Sequence, residues 1–126
     1  PLDMRMNQSQ PLTAAEVINT WSEVVLKDLF IELGEVRRPD RVIRAIVLDR
    51  KTKPFTSTLQ LSGLIERVEG WRKKGHHPAT NYFLALRMVV NNEISGLQSS
   101  LPTLMNALSP RGRLIVITFH SLEDRI

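Results

Sequence analysis

HHPATNYFLALRMVVNNEI, residues 76–94, is the stretch around which the rest of the chain is organised. Pro78 fixes φ near the helical value and lacks the N–H that a first-turn residue leaves unused, so it marks a first helical position. From there Leu86, Val90, Ile94, Leu97, Leu101, Leu104 and Leu108 recur every three or four residues. That spacing lays one apolar stripe along a helix, or along two helices in line, with a bend expected near Ser95-Gly96. Pro102 fits the first turn of a further segment or a kink. Thr80, Arg87 and Asn91 stack on a neighbouring face. A cation and an amide beside a core-facing stripe form either a satisfied packing network or a site.

Upstream, the chain reads as short helices separated by capping signals. Residues 1–10, PLDMRMNQSQ, have no period and form a loop. Thr13 with Glu16 makes a capping box that opens a helix to about Trp21. Ser22 caps a second helix, residues 23–33, with Val25, Leu26, Leu29 and Phe30 on one side, and Gly34 stands where a C′ glycine belongs. Pro39-Asp40 begins a third, to about Lys51, with Val42, Ile43, Ile46 and Val47 inward and Arg37, Arg38, Arg41 and Arg44 outward. Lys53-Pro54 stops it. Thr56 or Ser57 caps a fourth, to about Val68, through Leu59, Leu61, Leu64 and Ile65. Residues 69–77, EGWRKKGHH, form a basic loop punctuated by glycine. Its Arg and Lys beside Trp71 suit an RNA backbone and a base to stack on, or Trp71 is a lid on the helical core.

Downstream, a Ser-Pro-Arg-Gly turn leads into LIVITF, residues 114–119. A β-branched apolar run without alternation reads as a strand buried on both faces, as in parallel sheets. Such a strand needs a sheet that the rest of the sequence lacks. His120 to Arg125 follow at its carboxyl end, where open α/β sheets build ligand sites.

Composition narrows the classes. A chain of 126 residues with 42% hydrophobic residues suffices for a core. No apolar run approaches the ~20 residues of a membrane span, and no leader pattern opens the chain. The absence of cysteine excludes disulfides and thiolate metal sites and suits the cytoplasm. The six glycines are scattered, so no phosphate-cradling loop can be written, and His76, His77 and His120 lack metal-ligand spacing. The net charge of +4 is uneven: residues 35–77 hold eleven Lys/Arg against five Asp/Glu. A basic middle suggests a polyanion partner, most simply nucleic acid, or else a solvated face. The chain starts at Pro1 and ends beside the strand-like run, so a piece of a longer protein is expected.

Four words are more specific than any of this: PLDMRM at 1–6, LTAAEVIN at 12–19, HPATNYFLALRMVVNNEI at 77–94 and GRLIVITFHSLEDRI at 112–126. Together they closely resemble the MraW family of small-subunit ribosomal RNA cytosine-N4 methyltransferases, and the helix–LSPxGRL–strand pattern is common near the end of methyltransferase cores. The resemblance runs end to end. It departs at residues 34–39, where the family has Gly-Glu-Glu followed by aromatic and basic residues, and at Arg111-Gly112, where it has two glycines. Arg111 then puts a side chain at a tight turn.

The resemblance implies a mainly α chain: a helical insert of about four to six helices, plus a C-terminal strand belonging to a Rossmann-like α/β methyltransferase core. The implied layout is a core loop at 1–11, an inserted substrate-recognition domain at 12–76, and a return to the core at 77–126. It implies S-adenosylmethionine as methyl donor, bound mainly by a glycine-rich loop upstream of Pro1, and small-subunit rRNA as substrate and partner, with no membrane or metal. The cytosine amine is a poor nucleophile that an enzyme helps by accepting its hydrogen bonds and aligning it. Asp3, Glu123, Asp124 and neutral His120 are acceptors, with Asp3, His120 and Asp124 favoured as catalytic; Glu123-Asp124-Arg125 is otherwise a helix-start ion pair. His77, Thr80, Arg87, Asn91, Arg72, Lys73 and Lys74 are the substrate-binding candidates, although Arg87 also suits an internal carboxylate such as Glu93. The competing readings are a non-catalytic helical RNA-binding module and a plain helical interaction domain.

Overall fold

The computed structural model describes residues 1–126 as seven helices in two compact units, Pro1–Asn91 and Asn92–Ile126. The first contains α1 (Ala14–Thr20), α2 (Glu23–Glu32), α3 (Asp40–Thr52), α4 (Thr58–Glu69) and α5 (Thr80–Val90). The second contains α6 (Glu93–Asn106) and α7 (Ser121–Asp124).

In the first unit the caps explain where helices start. Thr13 and Ser22 accept from the N–H groups of Glu16 and Val25. Ser57 and Gln60 form a reciprocal capping box at α4. Each such cap satisfies a helix-end donor at about 1 kcal/mol. The cation at the other end of α1 is Arg50, whose guanidinium donates to the carbonyls of Ile18 (3.0 Å) and Trp21 (2.7 Å). Lys27 on α2 pairs with Asp40 on α3 at 2.9 Å, which holds the Asp40 carboxyl below its usual range.

One apolar core joins all five helices. α3 packs on α4, α2 on α3 and α5, and α1 on α3 and α5. Ile18, Leu26, Phe30, Ile46, Leu61, Ile65 and Leu86 are fully buried in it, each contributing roughly 1.5–3 kcal/mol of transfer free energy. Phe30 meets Tyr82 edge to face at 4.9 Å. The N-terminal segment enters the same core through Leu2, whose N–H donates to the Thr56 carbonyl and whose carbonyl accepts from Ala15. Asn19 exchanges two 2.8 Å hydrogen bonds with the backbone of Phe55, pinning the α3–α4 loop.

Several expectations need correction. Val25 and Leu59 point to solvent, at 46% and 81% exposure, because the neighbouring Leu26, Leu29, Leu61 and Leu64 already fill the buried arcs of α2 and α4. Gly34 does stand at C′, directly after the C-cap Leu33, but it is not left-handed. The left-handed turn falls on Glu35, φ +52°, and Val36 N–H closes back on the Phe30 carbonyl. Gly34 is required by space: a Cβ there would lie 2.8 Å from the Phe30 carbonyl oxygen and 2.9 Å from that of Asn81. The long stripe breaks at Asn92, φ +51°, rather than at Ser95-Gly96. Asn tolerates the left-handed conformation through its short polar side chain. The stripe is therefore buried only through Leu86 and Val90; nothing on α6 is buried, and Pro102 sits inside that helix rather than in its first turn. Pro78 lies before α5, whose N-cap is Ala79.

In the second unit residues 114–119 form no strand ladder within the chain. Ile115, Ile117 and Phe119 are 84%, 77% and 95% exposed, and the single β-bridge of the structure is Lys73–His76. A strand is defined by its neighbour, and this chain supplies none. Arg111 does occupy the tight turn with φ +65°.

Two glycines separate packing from propensity. Gly34→Ala forces backbone apart and is expected to destabilise by about 1–3 kcal/mol. Gly63→Ala, in α4, places its new methyl group where no other atom lies within 4 Å, and gains helix propensity of up to about 1 kcal/mol. Urea denaturation of the two variants checks the opposite signs.

Candidate nucleic-acid interface

The loop between α4 and α5 is built by turn chemistry. Gly70 and Gly75 have φ of +67° and +79°, conformations that glycine adopts without a Cβ penalty. The Lys73–His76 bridge closes the turn around Lys74-Gly75. Arg72, Lys73 and Lys74 are exposed on it.

Trp71 is not a lid on the core. It is 53% exposed, yet fixed. Its indole Nε1 donates to Glu66 Oε1 at 2.7 Å, and its ring meets the His77 ring edge to face at 5.0 Å. His77 is itself held: Nδ1 accepts from the Ala79 N–H at 3.0 Å, and Nε2 stands 3.7 Å from Glu66 Oε2. An exposed aromatic with a set orientation loses little further freedom if a planar group stacks on it.

Beside this loop lies an open notch of about 540 Å³, lined by Glu35, Arg37, Arg38, Glu69, Arg72, Lys73 and Tyr82 among others. The α2–α3 loop supplies one side and the α4–α5 loop another. Glu69 forms part of the lining: its Oε1 accepts from the Tyr82 hydroxyl at 3.2 Å, and its Oε2 lies 3.4 Å from Arg72. Burial of Tyr82 and the nearby Glu69 charge push the phenol well above its usual range, so it remains a donor. The charge run in the sequence points to Arg72 and Lys73. Nothing in it signals that Arg37, Arg38 and Tyr82 meet them.

The other candidates are distributed more widely. Asn91 is a packing residue at the end of α5: Oδ1 accepts from Met6 N–H at 2.8 Å, and Nδ2 donates to the carbonyls of Met4 and Arg87, each at 2.9 Å. Thr80 is exposed, while Arg87 is half-buried and partnered. The Asn91 bonds hold the N-terminal loop, where Met4 adopts φ +65° and Asp3 grips Arg5. The Arg5 guanidinium donates to Oδ1 at 2.7 Å and to Oδ2 at 2.9 Å, and the Arg5 N–H adds a third bond. These bonds lower the Asp3 pKa to about 2 and raise that of Arg5. Arg5 is a residue that sequence reasoning misses, although its spacing of two from Asp3 within a loop is a signal.

In the second unit His120 caps α7, its Nδ1 accepting from Leu122 N–H at 3.0 Å. When neutral it then carries its proton on Nε2 and presents a donor. Asp124 accepts from the Thr118 hydroxyl at 3.4 Å. The three favoured catalytic residues thus fall in different units, Asp3 in the first and His120 with Asp124 in the second.

Similarity to known proteins extends over the whole chain. The profile of the MraW methylase family matches residues 1–126. The chain belongs to the MraW methylase family. MraW relatives include a protein of Bdellovibrio bacteriovorus named Ribosomal RNA small subunit methyltransferase H, 63% identical over 126 residues, covering 100% of this chain and 38% of the relative. Proteins of the same name from Bradyrhizobium diazoefficiens and Carboxydothermus hydrogenoformans are 51% and 48% identical, again over 100% of this chain and 38% and 41% of their own lengths. The chain therefore spans about two fifths of the MraW relatives it matches. No helix is long and apolar enough to cross a membrane.

The residues present do not fit the methyl donor implied by the MraW family. Its sulfonium is a cation, and in the notch the four cations Arg37, Arg38, Arg72 and Lys73 outnumber the two carboxylates of Glu35 and Glu69. A second cavity of about 600 Å³, between α3 and α4, is lined by Lys53 and Arg67 as well as Asp49.

The Asp3–Arg5 pair predicts a pH dependence. The folded-state pKa of Asp3 lies below the ordinary carboxylate value, so the pair contributes stability above about pH 4, and that contribution fades as pH falls towards about 2. The difference in urea midpoint between the wild-type chain and Asp3→Asn is expected to shrink steadily between pH 5 and pH 2.

Proposed function

We propose that the whole protein to which this chain corresponds methylates the exocyclic N4 amine of a cytosine in small-subunit rRNA, with S-adenosylmethionine as donor. The observation that carries the reading is the end-to-end MraW match together with relatives named as rRNA methyltransferases. In this reading residues 1–11 are a loop of the methyltransferase core, 12–76 an inserted substrate-recognition domain, and 77–126 the return to the core. Residues 114–119 are an inner strand of that core, paired with segments beyond this chain. The donor is held by those segments, and the protein works in the cytoplasm.

This chain's own part is to hold the RNA and orient the amine. The ionised Asp3 carboxylate remains an acceptor after engaging Arg5, since a carboxylate offers about four lone-pair sites. Asp124 is a second acceptor, and His120 contributes an Nε2–H that suits the cytosine carbonyl. Accepting hydrogen bonds from the amine raises electron density on its nitrogen and fixes its direction. The basic loop at 69–77, Trp71 and the outer face of α3 grip the rRNA backbone and an unstacked base; His77 sets Trp71 in place, Thr80 and Arg87 on α5 add substrate contacts, and Asn91 acts indirectly by holding the N-terminal loop.

The deciding assay supplies the full-length protein with labelled S-adenosylmethionine and small ribosomal subunits lacking the modification. Nucleoside mass spectrometry is expected to find N4-methylcytidine. A ring-methylated cytidine, or no transfer, contradicts the reading. The 126-residue chain alone is expected to show no binding of the donor by calorimetry. For the RNA grip, reversing Arg72, Lys73 and Lys74 to Glu is expected to reduce the log–log salt slope of single-stranded RNA binding by at least about 2. An unchanged slope removes the loop from the interface.

A further inference from the structure

The notch holds two signs of charge, and a phosphate grip accounts for only one. Arg37, Arg38 and Lys73 suit phosphate oxygens. Glu35 and Glu69 line the same space, and a carboxylate beside a phosphodiester repels it. Glu69 is also no stray surface acid. Its side chain is 17% exposed, and the contacts with the Tyr82 hydroxyl and Arg72 fix the carboxylate in the wall of the notch. Two partners at 3.2 and 3.4 Å leave lone pairs on both oxygens.

An anchored acceptor among phosphate-binding cations fits a ligand that carries an anion and a nearby donor. A ribonucleotide is such a ligand: its 2′-hydroxyl sits on the sugar that bears the phosphate, and deoxyribose has no counterpart. The volume of about 540 Å³ matches the small-ligand range and accommodates one nucleotide of a single strand. We propose that this notch is a ribose-reading subsite, in which Arg37, Arg38 and Lys73 hold a phosphodiester of single-stranded RNA while Glu69 and Glu35 accept hydrogen bonds from its 2′-hydroxyls. The proposal rests on the reading of this surface as an RNA grip and adds the feature that RNA, rather than any polyanion, is selected there.

The test compares three fluorescently labelled strands of one unstructured sequence, about 12 nucleotides long, as RNA, DNA and 2′-O-methyl RNA. Anisotropy titrations with the 126-residue chain are expected to give RNA roughly tenfold tighter binding than the other two. In Glu35→Gln/Glu69→Gln the preference falls below about threefold, mainly because DNA binds more tightly once the repelling charges are gone. Equal affinities for the three strands with the wild-type chain, or a wild-type preference retained by the folded double variant, overturn the subsite while leaving the RNA grip standing. No binding of any strand overturns the RNA grip itself and the subsite with it. The 2′-O-methyl strand alters the ligand rather than the protein, so the sugar comparison holds even if the double variant fails to fold.

Discussion

The absence of a side chain at residue 34 governs how the functional surface is assembled. Gly34 brings the end of α2 against α5, so close that a methyl group would lie 2.8 and 2.9 Å from two carbonyl oxygens. The contact fixes the α2–α3 loop relative to the start of α5, and α5 carries Tyr82. Tyr82 in turn bonds Glu69 at the end of α4. Two loops far apart in sequence, 35–38 and 69–76, thereby come to line one cavity. Both are drawn from the most basic part of the chain, yet neither loop alone makes a pocket. The backbone adjusts to this closure at Glu35, which takes the left-handed conformation that the glycine before it does not need.

Much of this fold is legible in the sequence because helix ends are written locally. Thr13, Ser22 and Ser57 announce α1, α2 and α4 through side-chain oxygens that reach only three residues on. The inward faces of α3 and of α5 follow from spacing. Whatever a distant partner decides is not legible. The periodic stripe continues through Leu97 and Leu104 without interruption, but burial stops at Val90. Period shows which side of a helix is apolar, not whether another element covers it. Leu59 and Val25 are on apolar stretches for the same reason and still face water. The basic loop is visible as composition. Its union with Arg37, Arg38 and Tyr82 depends on α2–α5 packing, which no local pattern encodes.

The two ends of the first unit show a different division of labour. Asn91 ties the end of α5 to the backbone of Met4 and Met6, and that loop holds Asp3 and Arg5 in a doubly bonded pair. Spacing from Thr80 and Arg87 leaves Asn91 open between network and site, and its three bonds are those of a network. Arg5 lowers the Asp3 pKa to about 2, so the carboxylate stays ionised in mildly acidic solution as well as near neutrality. The second unit has the opposite character. Residues 114–119 expose an apolar row, and His120 and Asp124 are organised by short local bonds around α7.

Loops 35–38 and 69–76 line one notch because α2 and α5 are held together; the proposed RNA grip depends on that union. Hydrogen–deuterium exchange of the chain with and without single-stranded RNA tests it most directly. The expected result is slowed exchange in both loops at the same RNA concentration. Protection confined to 69–76, with 35–38 exchanging as in the free chain, would contradict it.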